Sequence, residues 1–241
     1  MDAQMMEFQS KAIKPMECLK GGWALVKPRY WRALGVCVLG LFIATLAPFD
    51  ILMGPMLCGI YICLLAAMDE RNFELGDLFK GFDYFLQSFL ASMFFLGTAL
   101  LLIIPIVVIQ VFLMVTLILH GGGAAGGSVP GFPGGIAGVL LFVLFILVIL
   151  VFLMLIGVFL QFTFPLIVER KLGAWDAIKT SFRGAKANFG RLFILYLLLM
   201  LLSLGAMLFC YVGVFFVVPI SFAACALAYR QVFPKLKEAA E

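Results

Sequence analysis

The sequence predicts an all-α integral membrane protein: six transmembrane helices in three hairpins, each preceded by a short interfacial amphipathic helix, with both termini cytoplasmic. Three observations carry this. The chain is 65% apolar and 12% charged, with a mean hydropathy of +1.17, outside the range of soluble globular domains. All 17 Lys and Arg fall in four stretches, Lys11–Arg32, Arg71–Lys80, Arg170–Arg191 and Arg230–Lys237. Basic loops stay cytoplasmic during insertion, so these stretches are expected on one side of a cytoplasmic (inner) membrane. Uncharged apolar runs of spanning length separate them. Of the 13 acidic residues only Asp50 falls on the far side, and the first 32 residues hold no apolar signal-peptide core.

The first hairpin is Trp31 to Ala47 and Ile51 to Met68, turning at Pro48, Phe49 and Asp50. Runs of 17 and 18 residues are near the lower limit for a ~30 Å hydrocarbon core. Gln87 to Leu119 and Ile136 to Val168 form the second pair. The last run, Leu192 to Tyr229, has 38 uncharged residues. As one helix it would be ~57 Å long and would strand Arg230, Lys235 and Lys237 outside, so a tight hairpin near Tyr211 to Gly213 is expected.

The amphipathic stretches resemble one another. Met16, Leu19, Trp23 and Val26 recur at helical spacing between Pro15 and Pro28, with Pro28 expected to end the helix. Leu75, Leu78, Phe79, Phe82 and Leu86 do the same, as do Trp175, Ile178, Phe182, Ala185 and Phe189. Glu17-Cys18-Leu19-Lys20, Asp77-Leu78-Phe79-Lys80 and Asp176-Ala177-Ile178-Lys179 share one pattern. The chain therefore reads as a single membrane domain of three repeat units, 1–68, 69–168 and 169–241, the second enlarged by a long hairpin and the Gly-rich loop 121–135.

The two middle runs are 33 residues each, ~50 Å of helix. Tilt alone would need roughly 53°, beyond the usual range, so the helices bend, with Pro105 the obvious place, or their far ends rise above the membrane. Rising would bare an apolar surface suited to a second copy of the chain or to a partner membrane protein. The loop Gly121 to Gly135, with eight Gly and two Pro, is expected as a flexible connector, the alternative being a re-entrant segment.

Chemistry-bearing groups are few. The one histidine, His120, abuts the Gly-rich loop, and the six cysteines show no metal-ligand or CxxC spacing. No catalytic residue, metal site or cofactor is assigned, and the chain is not expected to be an enzyme. The basic face calls for anionic lipid headgroups rather than nucleic acid. Lys20, Lys27, Arg29 and Arg32, with Lys179, Arg183, Lys186 and Arg191, are the candidate headgroup contacts. Gln110 and Gln161 are the least expected polar residues at membrane depth, suited to helix–helix bonding or to lining a polar path.

Leu52-Met53-Gly54-Pro55 through Gly59, followed by Phe73-Glu74-Leu75-Gly76-Asp77-Leu78-Phe79-Lys80-Gly81-Phe82, resembles a family of uncharacterised bacterial multi-pass inner-membrane proteins. Some of its relatives bear the name glycerophosphoryl diester phosphodiesterase membrane domain. The segment Ala174 to Arg191 and the hairpin after it are similar to the closing portion of such sequences. The resemblance implies a bacterial cytoplasmic-membrane location and brings no activity, because the acidic and histidine residues of the soluble phosphodiesterase domain are absent. Two functions follow as expectations: a non-catalytic membrane-organising or accessory component that contacts anionic lipids, or an oligomeric channel or transporter for a small or lipidic solute.

Overall fold

In hydrocarbon a backbone amide must find its partner within the protein, most simply in its own helix, and the chain is built accordingly. The computed structural model describes residues 8–46, 51–120, 135–207 and 212–235, and every regular element among them is helical. In order these are α1 (Pro15–Val26), a 3-10 turn (Lys27–Arg29), α2 (Tyr30–Leu46), α3 (Met53–Met68) and a 3-10 helix (Leu75–Tyr84). Then follow α4 (Phe85–His120), α5 (Gly135–Leu160), α6 (Thr163–Arg170), α7 (Ala174–Ala187), α8 (Phe189–Met207) and α9 (Val212–Val232). Five helical stretches are long and apolar enough to cross a membrane: Pro15–Leu46, Leu75–Leu113, Gly138–Arg170, Phe189–Met207 and Gly213–Val232. The sixth expected span is the 16-residue α3, ~24 Å long. It is buried without a break from Gly54 to Tyr61, so neighbouring protein encloses it.

The first helix stops at Val26, just before Pro28, and a three-residue 3-10 turn holding that proline leads into α2. Two local expectations are revised. The run Ile136 to Val168 is not one helix, since α5 stops at Leu160 and α6 starts at Thr163. The cause is Pro165, whose ring collides with the carbonyl four residues back, that of Gln161. The second amphipathic stretch is a ten-residue 3-10 helix rather than an α-helix. A reciprocal capping box between Glu74 and Asp77 starts it. Residues three apart eclipse in this geometry, so Phe79 and Phe82 stack at 6.4 Å, and Phe82 and Phe85 at 6.3 Å. Helix α8 is described to Met207 and α9 from Val212. The turn there, the turn at Pro48 to Asp50 and the Gly-rich loop lie outside the described residues.

The chain divides into two compact units, one of residues 1–94 and 158–241, the other of 95–157. The second consists of the α4 and α5 segments. There α4, 36 residues in all, continues unbroken through Pro105, and Leu101, Val108, Phe112 and Leu140 are exposed apolar side chains. The first unit has a core of α2, α3 and α9 side chains, including Val36, Met56, Ile60, Leu64 and Ala223, closed by Leu78 from the 3-10 helix.

Each amphipathic element docks in that first unit through small residues. On α1, Cys18, Gly22 and Val26 are buried, and a Cβ at Gly22 would lie 2.9 Å from the Ala224 backbone nitrogen of α9. On the 3-10 helix, Gly81 lies against the Pro55 carbonyl and Gly59 of α3, while Gly59 lies against the Leu78 carbonyl. On α7, Ser181 repairs the α5–α6 break. Its hydroxyl accepts from the Phe162 N–H at 3.2 Å and donates to the Phe159 carbonyl at 2.8 Å. Thus α1 rests on α9, the 3-10 helix on α3, and α7 on α6.

Backbone cannot retreat from an added methyl as a flexible side chain can. Gly81→Ala is expected to cost at least about 2 kcal/mol, read as a lowered unfolding midpoint in detergent. Gly76→Ala, with nothing within 4 Å of the new carbon, stays within about 0.5 kcal/mol of the parent.

Candidate functional site

The candidate site lies where α3, α6 and α9 end together. After Met68 the chain leaves α3 through a two-bond C-terminal lock: the Glu70 N–H donates to the Ala67 carbonyl at 3.2 Å, and the Arg71 N–H to the Ala66 carbonyl at 2.9 Å. This lock requires a left-handed residue, supplied by Glu70 at φ 57°. Lys171 takes the same conformation, φ 49°, after α6. A non-glycine residue there costs free energy and persists where surrounding contacts fix it. The turns present Asp69 and Glu169 to Arg230 near the end of α9.

Arg230 bridges both carboxylates, Nη1 to Glu169 and Nη2 to Asp69 at 3.3 Å. Asp69 also accepts Arg71 at 3.2 Å and Lys235 at 2.8 Å. Burial alone would push the Asp69 carboxyl up. The Lys235 hydrogen bond, the Arg230 and Lys235 charges and the Arg71 hydrogen bond outweigh it and hold the group below its ordinary value. These five charged side chains, with Ile62, Leu65 and Val168, line a cavity of about 520 Å³. Behind it Arg170 is buried, donating to the Pro234 carbonyl at 3.1 Å with its guanidinium 5.2 Å from the Phe233 ring centre. The Tyr229 hydroxyl is buried beside Glu169.

Of the residues expected to meet lipid headgroups, two are tied to backbone. Arg29 donates to the Arg71 carbonyl at 2.9 Å, and Arg191 to the carbonyls of Lys11 and, at 3.1 Å, Ile13. Lys20, Lys27, Arg32, Lys179, Arg183 and Lys186 are exposed, and none of these six forms an ion pair among the described residues. Lys179 lies over the Trp175 ring at 5.1 Å. Exposed aromatic rings accompany the cations: Trp23 and Trp31 beside Lys20, Lys27 and Arg32, and Trp175 and Phe182 along α7.

The four basic stretches meet. Arg29 reaches Arg71, the Lys14 N–H reaches Gln231 at 2.9 Å, the Ala12 N–H reaches Asn188 at 3.0 Å, and Arg230 reaches Asp69 and Glu169. Gln161 sits at the α5–α6 break, buried, and its amide has no hydrogen-bond partner among the described residues. In the second unit, the Gln110 Nε2 is likewise buried without one. Among the described residues no group of His, Cys, Asp and Glu is placed to hold a metal ion. His120 closes α4, and its side chain lies outside the described residues.

Reasoning from the sequence missed the cavity. A signal was present: Asp69-Glu70-Arg71 and Glu169-Arg170-Lys171 both close an apolar run with acid followed by base. Such charges read as ordinary loop residues until the fold brings them together.

Fold and site together define a helical membrane protein with a charged cavity at the meeting point of its basic stretches. Comparison of the chain with family models, with curated proteins and with solved structures yields no match.

The pH dependence follows from the sign at Asp69. A carboxyl held below its ordinary value contributes stability that is complete above the unfolded pKa, ~3.9 for Asp, and is lost as the pH falls through the folded value. Unfolding midpoints should be flat from neutral pH down to about pH 4 in this contribution and drop below it. Asp69→Asn should remove that acid limb and lower stability at neutral pH by about 1 kcal/mol, a figure discounted for solvent reaching the group. Thermal melts across the pH series read both effects.

Proposed function

We propose that the chain is a non-catalytic, membrane-organising component of a bacterial cytoplasmic membrane that gathers anionic lipid headgroups on two basic, aromatic-flanked faces. One observation carries the reading. Six exposed cations, Lys20, Lys27, Arg32, Lys179, Arg183 and Lys186, lie on or next to helices whose opposite faces are buried in protein, beside exposed Trp and Phe rings. Aromatic rings favour the headgroup layer, and each nearby cation adds ~1 kcal/mol of attraction to an anionic surface. With the basic stretches at the cytoplasmic face, six spans with both termini inside follow, α3 crossing within a protein sheath.

We read the three amphipathic elements and the helices after them as repeats. Supporting this, the 3-10 helix docks on α3 and α7 on α6, each on the second helix of the copy before it, and α1 closes the series on α9. The apolar flank of the second unit is the surface for a second copy or a partner membrane protein. The resemblance to bacterial inner-membrane proteins agrees with the location, and its signature residues Gly59 and Gly81 are packing residues here.

Replacing Lys179, Arg183 and Lys186 by Gln should reduce the anionic lipid retained by the protein in native mass spectrometry by about tenfold or more, given ~1 kcal/mol per cation. Retention of zwitterionic lipid should not change. Equal retention of anionic lipid by variant and parent would sink the proposal.

The second reading, an oligomeric channel or transporter, is favoured by the buried Gln110 Nε2 and the buried Gln161 amide, which have no hydrogen-bond partner among the described residues. If it holds, Gln110→Leu with Gln161→Leu abolishes solute flux in proteoliposomes while assembly survives. Should the double variant assemble normally and the parent show no flux to lose, the accessory role stands.

A further inference from the structure

We infer that the cavity at the ends of α3, α6 and α9 is a binding site for a phosphate-bearing anion, either a soluble phosphate ester or the phosphate of a lipid headgroup. This inference uses none of the residues assigned to the basic faces and does not depend on that reading.

Charge is the first argument. The lining contains three cations, Arg71, Arg230 and Lys235, against two carboxylates, Asp69 and Glu169, which leaves a net charge of +1. The distribution of bonds is the second. Arg230 is committed to both acids, with only 14% of its side chain exposed. Arg71 and Lys235 instead share one carboxylate, Asp69, and are 70% and 60% exposed. Each meets Asp69 through a single nitrogen, while a guanidinium has five N–H donors and an ammonium three. A planar guanidinium beside an ammonium suits an oxyanion with several acceptor oxygens, and phosphate meets that better than a lone halide. Shape is the third. The volume of about 520 Å³ falls in the range of small-ligand sites. Ile62, Leu65 and Val168 in the lining give apolar contact to whatever carries the phosphate. A divalent cation is disfavoured by the positive balance: both acids engage Arg230, and of their oxygens the buried Glu169 Oε2 alone has no hydrogen-bond partner among the described residues.

The arrangement also sets who moves. Asp69 holds Arg71 and Lys235 at the mouth without neutralising them, and Arg230 keeps Asp69 from swinging out. An incoming phosphate can take the free donors of Arg71 and Lys235 without breaking the inner bridge.

The test uses the full chain in phosphatidylcholine nanodiscs. Lys235 is acetylated by an amine-reactive reagent, and its rate is followed by peptide mass spectrometry. Probes are inorganic phosphate at constant ionic strength or nanodiscs doped with phosphatidic acid. The expected result is slowing of Lys235 by about tenfold, the worth of one charge-assisted hydrogen bond. Lys179 and Lys186 should be unaffected by inorganic phosphate. Slowing by phosphate identifies a soluble ester as the source, and slowing by phosphatidic acid alone identifies a headgroup; both support the site. Arg71→Gln should abolish the protection, whereas replacing Lys179, Arg183 and Lys186 by Gln should leave it intact. Unchanged Lys235 reactivity with both probes in the parent protein overturns the inference without any variant having to fold. So does protection that survives Arg71→Gln. Loss of lipid retention in the α7 variant bears only on the basic faces.

Discussion

Arg230 reaches with one guanidinium to Asp69, 161 residues away in sequence, and to Glu169, 61 residues away. Three helices far apart in sequence, α3, α6 and α9, are tied at their charged ends by this bridge. Its side chains are 14–21% exposed, dry enough for charge pairing to matter and wet enough to limit the desolvation cost. A hydrophobic interior accepts many packings of similar free energy, whereas one guanidinium between two carboxylates accepts few. The left-handed turns at Glu70 and Lys171 lie one and two residues beyond the bridged Asp69 and Glu169, so the bridge holds the chain close to each. The segment after α9 is held by the same region, through Arg170 to Pro234 and Lys235 to Asp69.

Around this anchor the amphipathic elements work with three faces rather than two. One face is made of small residues and lies against protein, a second carries aromatic rings, and a third carries Lys and Arg. In α7 the small face runs through Ala177, Ser181, Gly184 and Ala185, all buried, while Trp175 and Phe182 remain exposed. In α1 it runs through Cys18 and Gly22, with Met16 and Trp23 outside. Small residues let backbones approach closely, the usual route to helix association where lipid removes the hydrophobic drive between helices. Val26, Leu78 and Ile178 are buried with them, while the aromatic rings Trp23, Phe79, Trp175 and Phe182 remain exposed.

Much of this was legible beforehand. Apolar runs bounded by charge located the helices, because neither property depends on a partner. The finer geometry was harder to read. A ten-residue stretch with Phe79, Phe82 and Phe85 fits a period of 3.0 or 3.6 equally well, and the eclipsed ring stack alone separates them. Pro165 carried the information for the α5–α6 break, but hydropathy averaged over Ile136 to Val168 passes over one residue. The small faces stayed hidden because Gly and Ala contribute almost nothing to an apolar stripe. The cavity was the least legible feature: its charges come from three distant segments, and each looks locally like an ordinary loop charge. Conversely, Arg29 and Arg191 resembled headgroup contacts by position, yet the fold spends them on backbone carbonyls.

The repair of the α5–α6 break has a consequence for how the protein is made. The Phe162 N–H and the Phe159 carbonyl are both satisfied by the hydroxyl of Ser181, 19 residues beyond Phe162. A ribosome that has just added Phe162 has not yet made the group that completes that helix junction. The junction therefore cannot be completed by the α5–α6 sequence alone: a chain ending before Ser181 would leave the Phe162 N–H and the Phe159 carbonyl without this partner.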